Sequence, residues 1–228
     1  MVRPVGALTY RDGVDRRTQE LREAHDVLAE LYAERLADAL EEIPEDRAVL
    51  DLFCRLVRDA GLGTTVGDIG SGSGRLAPYL ADQGLQPHGV DLSEEMVRVA
   101  RRDHPAYPFE VADLRRLPFD DASLAGVLGW YSLMYLPPED APRAFAELAR
   151  VVRPGGYLAT AFKVGDDSPR RGGGTLDLGI AFDIYWHSPQ EMERRVTDAG
   201  FEVVFWGGRP GRDGEPQPQG YLVARRAG

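Results

Sequence analysis

The chain has one cysteine, Cys54, in 228 residues, so no intrachain disulfide can form. That fits a reducing compartment. No apolar run is long enough to cross a bilayer, and Met1-Val2-Arg3-Pro4-Val5-Gly6 lacks the apolar core of a secretory leader. The expectation is a cytoplasmic protein with no membrane partner. Positive charge is in deficit: 27 Lys and Arg against 37 Asp and Glu leave a net charge of −10. That balance argues against a nucleic-acid partner. Histidines number four, and no His/Cys/Asp cluster has metal-ligand spacing, so metal-free chemistry is expected. Internal repeats are absent as well.

What is there is the composition of a globular chain, and its length suits one domain carrying a small cap. The chain is organised around Thr65-Val66-Gly67-Asp68-Ile69-Gly70-Ser71-Gly72-Ser73-Gly74-Arg75. This reads as a buried strand, a glycine-rich turn and a helix over 76–82. Glycines admit positive φ and let a ligand approach where a Cβ would block it. The helix N-terminus beyond the turn offers unpaired N–H groups to an anionic group. A dinucleotide turn, Gly-x-Gly-x-x-Gly, would place its third glycine at position 75, where this chain has Arg75.

Residues 1–45 read as an arm followed by a helical cap, helical from Arg16 to about Glu42 and ended by Pro44. Residues 46–228 read as the main domain, beginning with a helix from Asp46 to Asp59. Strands are expected at 66–69, 87–91, 109–112, 125–130 and 157–162, alternating with helices at 76–82, 94–102, 142–152 and 189–199. Two last strands, 201–206 and 221–224, make a terminal hairpin. The predicted fold is α/β: a doubly wound, seven-stranded, mostly parallel sheet with a terminal antiparallel hairpin and an N-terminal helical cap.

Asp91 ends the second predicted strand, where an acid can accept both hydroxyls of a ribose. Ser93 fills the helix N-cap ahead of Glu94-Glu95, which leaves Asp91 free for that role. The position suits any nucleoside cofactor, nicotinamide dinucleotides included.

Asp68-Ile69-Gly70-Ser71-Gly72-Ser73-Gly74, Gly89-Val90-Asp91-Leu92-Ser93, Val111-Ala112-Asp113-Leu114 and Arg153-Pro154-Gly155-Gly156 occur in an order and spacing that resemble the class I S-adenosylmethionine-dependent methyltransferases. The resemblance covers about residues 60–162, and the terminal hairpin extends it. It implies that Asp68, Gly70, Ser71, Gly72 and Gly74 hold the methionine half of the cofactor. It further implies Asp91 and Leu92 at the ribose, Met96 against the adenine, and Ala112, Asp113 and Leu114 around the adenine edge. Met96 also suits plain core packing.

Strand four ends in Gly129-Trp130-Tyr131-Ser132, where the family's two substrates meet. The Asn/Asp-Pro-Pro-aromatic motif of relatives that methylate nucleic-acid bases is missing here, so a small-molecule acceptor is expected. Trp130 and Tyr131 can face the sulfonium, an arrangement worth ~0.5–2 kcal/mol, or simply pack the strand end. Residues 163–187 interrupt the sheet. Their first half, with Asp166-Asp167 and Gly172-Gly173-Gly174, reads as irregular and as a lid. Tyr185, Trp186 and His187 in the second half are candidates to approach the acceptor, with Tyr131 and Tyr32. His187 and Tyr131 are the candidate catalytic groups, His187 as a general base; a histidine serving the start of the next helix is the other reading. The other three histidines, His25, His88 and His104, are expected on surface elements away from the crevice.

The implied function is metal-free, in-line transfer of a methyl group from S-adenosylmethionine to O or N, less readily C or S, of a small molecule. By analogy the setting is bacterial secondary metabolism, with a monomer or homodimer. An NAD(P)-dependent oxidoreductase and a non-catalytic S-adenosylmethionine-binding protein are the alternatives.

Overall fold

The computed structural model describes residues 15–173, 178–212, 214, 215 and 217–228. Strands β1 (Thr65–Ile69), β2 (Gln86–Asp91), β3 (Phe109–Val111), β4 (Leu124–Trp130) and β5 (Val152–Lys163) are parallel where they pair. Strand β9 (Gln219–Arg226) runs antiparallel to β5 on one side and to β8 (Phe201–Arg209) on the other. The order is β3-β2-β1-β4-β5-β9-β8. The chain winds outward from β1 to β3, then returns to the other side of β1 with β4. That reversal opens a crevice at the carboxyl ends of β1 and β4.

Central strands are buried on both faces, which is why β4 (Leu-Ala-Gly-Val-Leu-Gly-Trp) reads as one continuous apolar run. One face packs on α6 (Ala141–Val151) and α7 (Pro189–Asp198), with Phe145, Leu148, Met192 and Val196 against Val127, Leu158 and Leu222. The other packs on α3 (Pro44–Asp59), whose Leu50, Phe53 and Val57 meet Val66, Leu128 and Val223. Each of these fully buried side chains contributes about 1.5–3 kcal/mol of transfer free energy. After α4 (Ala77–Asp82), helix α5 (Glu94–Asp103) starts where Ser93 Oγ accepts from Met96 N, as the sequence leads one to expect.

Two expectations are corrected. The leading helix does not run unbroken over residues 16–42: α1 (Arg16–Arg35) stops, and a separate turn of helix, α2 (Ala39–Glu42), follows. The break swings Leu36, Ala39 and Ile43 over the crevice, which they line; a straight helix would carry them past it. Pro44 opens α3 at its first turn, where proline's missing N–H costs nothing. The first half of residues 163–187 is also not irregular throughout its described residues. Strand β6 (Pro169–Gly172) pairs antiparallel with β7 (Phe182–Tyr185). Arg171 bridges Asp183 across the pair at 2.9 Å and Glu20 of α1 at 3.0 Å, while Phe182 buries against α1. Cross-strand ion pairing and a buried ring override the glycine-rich composition. Residues 174–177 of this segment lie outside the described residues, as do residues 1–14 of the expected arm.

Candidate active site

A cavity of about 430 Å³ fills the crevice. Its floor is the turn after β1. Gly70 and Gly74 sit at φ +76° and +78°, and a Cβ on them would meet Ser132 Cβ at 2.3 Å and a Phe109 ring carbon at 2.6 Å. Both are glycine for backbone and packing reasons, and Gly74 lies behind the cavity wall. Gly72 differs: at φ +55°, a Cβ there would find Met96 Sδ at 3.9 Å as its nearest neighbour. It leaves an open cradle beside the ligand space.

Asp91 closes β2 with its carboxylate fixed by backbone donors. Oδ2 accepts from Gly72 N at 2.8 Å and Oδ1 from Ser93 N at 2.9 Å. Each oxygen keeps a lone pair for a ligand hydroxyl. Asp68, at the end of β1, is buried, and its Oδ2 has no hydrogen-bond partner. Burial pushes its pKa up to about 7; Arg75 opposes that and Asp91 adds to it. Arg75 lines the same cavity, feels the charges of Asp46 and Asp68, and makes no hydrogen bond to the described residues. An orphaned carboxylate oxygen beside an unpaired guanidinium complements a zwitterionic amino-acid head group.

The far side of the site is a buried polar knot. Asp46, 3% exposed, accepts from Tyr221 Oη at 2.6 Å, Trp130 Nε1 at 3.2 Å and Tyr131 Oη at 3.3 Å. Desolvation raises the Asp46 pKa, and the hydrogen bonds from Tyr221 and Trp130, with the charges of Arg75 and Arg209, hold it back only in part. Tyr131 sits at φ +55°, an unfavourable setting for a bulky side chain, held by its amide's bond to Ala161 O at 3.0 Å and by Asp46. Backbone strain of this kind concentrates at working sites.

Of the sequence-predicted residues, Tyr32, Asp68, Gly70, Ser71, Gly72, Asp91, Leu92, Met96, Ala112, Asp113, Leu114, Trp130 and Tyr131 line this one cavity. Asp113 is shared: both its oxygens accept from Arg115, which also reaches Asp140 and Asp15 and so ties α1 to this end of the site.

Tyr185, Trp186 and His187 do not line the cavity, a correction to the acceptor-side assignment. His187 is fully buried, backbone-paired with Lys163 and Gly165, and stacked against Tyr185. Burial first, then the nearby Arg195 guanidinium, drops its pKa to about 4, which leaves it a poor proton acceptor at neutral pH. Trp186 instead lies under the Arg170 guanidinium at 4.5 Å. His187→Ala is therefore expected to cost about 2–4 kcal/mol in urea unfolding, as a buried-ring truncation does, while affinity for S-adenosylhomocysteine stays within twofold.

Two further histidines depart from expectation. His25 lines the cavity. His88 is buried, with Nε2 2.8 Å from Glu110 Oε1. Asp46, Arg75, Tyr135, Lys163 and Tyr221 join the site without having been legible in it.

Residues 66–156 match a model described as a methyltransferase domain. The chain is 32% identical over 167 residues to the O-methyltransferase cnsE of Penicillium expansum, covering 66% of this chain and 58% of that protein. It is 36% identical over 115 residues to the demethylmenaquinone methyltransferase of Beutenbergia cavernae, covering 50% and 45%. The chain thus spans about half the length of the curated relatives it matches. Among solved structures, the magnesium protoporphyrin IX methyltransferase ChlM of Synechocystis PCC 6803, crystallised with bound SAM, superposes with a TM-score of 0.68 at 21% identity. That alignment covers 95% of this chain and 100% of the other. Sheet order, matched domain and relatives agree: residues 66–156 carry a match to a methyltransferase domain, and the chain is similar to S-adenosylmethionine-dependent methyltransferases.

Proposed function

We propose that the chain binds S-adenosylmethionine and transfers its methyl group to O or N of a small-molecule acceptor. One observation carries this reading. A single cavity joins an orphaned carboxylate oxygen (Asp68), an unpaired guanidinium (Arg75), a glycine cradle (Gly72) and a pre-oriented carboxylate (Asp91). In that order they complement an α-ammonium, an α-carboxylate, a thioether chain and a ribose diol. Leu114 and Asp113 sit beyond them for the adenine, and Met96 lines the same space.

The bound cofactor supplies a methyl carbon on a good leaving group, so the residues need only align, desolvate and, for a protonated nucleophile, deprotonate. Trp130 and Tyr131 at the end of β4 edge the space beyond the glycine turn, with Asp46 fixing Tyr131 by its hydroxyl. The apolar Leu36, Ala39 and Ile43 cover it from the cap and exclude water. Three relatives carry O-methyltransferase in their printed names, which favours oxygen as the attacked atom. Incubation with methyl-labelled S-adenosylmethionine and separate panels of phenols, alcohols and amines tests the reading. Labelled product from at least one panel is expected; cofactor binding with no transfer to any of them would leave a non-catalytic binding protein.

A further inference from the structure

His25 is the one histidine that the described structure places in the cavity wall. It comes from α1, the cap, and not from the segment 163–187. Its Nδ1 lies 2.9 Å from Leu21 O. A carbonyl oxygen can only accept, so Nδ1 carries the hydrogen, and in the neutral ring the free lone pair resides on Nε2. Nε2 has no partner among the described residues. A backbone carbonyl that fixes the tautomer from behind is the arrangement that leaves an imidazole ready to take a proton in front.

The ring stands inside an aromatic box. Tyr135, in the 3-10 turn that follows β4, meets it edge-on at 4.9 Å between centroids. Phe182 of β7 lies at 5.4 Å and Tyr32 of α1 at 6.0 Å. Tyr32 and Tyr135 also line the cavity beside His25, and aromatic walls favour a flat ring as occupant. Asp91 is close enough for its charge to interact with His25.

We infer that the acceptor is a flat aromatic hydroxyl compound and that His25 is its general base. This rests on the methyl-transfer reading above. The phenolic O–H proton passes to His25 Nε2, and the freed oxygen pair attacks the methyl carbon of S-adenosylmethionine. The carbon–sulfur bond breaks with its electron pair left on sulfur. The products are an aryl methyl ether, S-adenosylhomocysteine and an imidazolium that returns its proton to solvent.

The test uses 4-nitrophenol and 4-nitrocatechol, whose ionised forms absorb at longer wavelength, with the protein saturated in S-adenosylhomocysteine. At a pH where the free phenols are mostly neutral, the wild-type complex should bind them and raise the phenolate band. With S-adenosylmethionine it should form their methyl ethers. His25→Asn keeps a donor toward Leu21 O, and His25→Phe keeps the ring packing. Both should bind S-adenosylhomocysteine within twofold of wild type yet lose the phenolate band. Their ether formation should fall about 100-fold, the usual size of a general-base contribution. With pentafluorophenol, already ionised, the same variants should lose only a few-fold. A merely structural His25 would cost both phenol classes equally, and that result overturns the proposal. So does a wild-type complex that binds neither nitrophenol, or variants that ionise them as well as wild type. Failure of wild type to bind S-adenosylhomocysteine would instead remove the cofactor reading, and this proposal with it.

Discussion

Asp91→Ala is expected to weaken S-adenosylhomocysteine binding by at least about 100-fold, or ~3 kcal/mol. The side chain has two duties, and the substitution ends both. Its oxygens would accept the two ribose hydroxyls, and hydrogen bonds to a charged group are worth about 1.5–3 kcal/mol each. They also hold Gly72 N and Ser93 N, so the cradle and the first turn of α5 lose their anchor together. Asp91→Asn should be nearly as damaging. One carboxylate oxygen faces each of those N–H groups, so an amide must turn its NH₂ toward one of them in either orientation. Titration calorimetry of the two variants, with urea melts to show that each folds, checks this. An Asn variant binding like wild type would mean that the carboxylate is not the ribose acceptor.

The second large effect is one of pH. Asp68 must be ionised to hold the cofactor's ammonium, and its pKa in the free protein is pushed up to about 7 by burial. Below that pH its proton must be displaced before the ammonium can bind. Affinity for S-adenosylhomocysteine should therefore fall about tenfold per pH unit on going down from 7, or ~1.4 kcal/mol each. Above 7 it should be flat. The groups facing Asp68 are Arg75, which favours ionisation, and Asp91, which opposes it. Stability runs the other way. Folded Asp68 holds its proton more tightly than the unfolded chain does, so its contribution is full below the ordinary carboxylate range and is lost as pH rises from there through 7. Asp68→Asn should bind more weakly at pH 8 and show a flat pH profile. A wild-type affinity that does not change between pH 5 and 8 would contradict the assignment.

The parallel core was readable because strands buried on both faces spell themselves as short apolar runs between glycine and proline signals. Val66–Ile69, Ala125–Trp130 and Tyr157–Phe162 all lie within observed strands. The cofactor side was readable for a related reason. Turn, cradle and ribose acid follow one another within a few residues of β1 and β2, so local spacing encodes their placement. The acceptor side has no such encoding. Asp46 looks like an ordinary acidic residue in the first turn of a helix, beside Pro44 and Glu45. The pairing of Ala161 with Tyr221 across β5 and β9 brings the Tyr221 hydroxyl to it, beside that of Tyr131. His25 sits on a helix whose outer face is charged, and its position over the crevice depends on how α1 docks through Asp26 on Ser93 and Glu30 on Arg98 and Arg102. His187 misleads in the opposite sense: it lies in an aromatic run after β5, yet the pairing of Val164 with His187 turns it inward.

Calorimetric titration of the wild-type protein with S-adenosylhomocysteine, beside a parallel titration with NADH, tests the central claim most directly. Micromolar binding of S-adenosylhomocysteine and none of NADH is the expected result. Absence of S-adenosylhomocysteine binding, or a preference for NADH, would contradict the account of the cavity as a methyl-donor site.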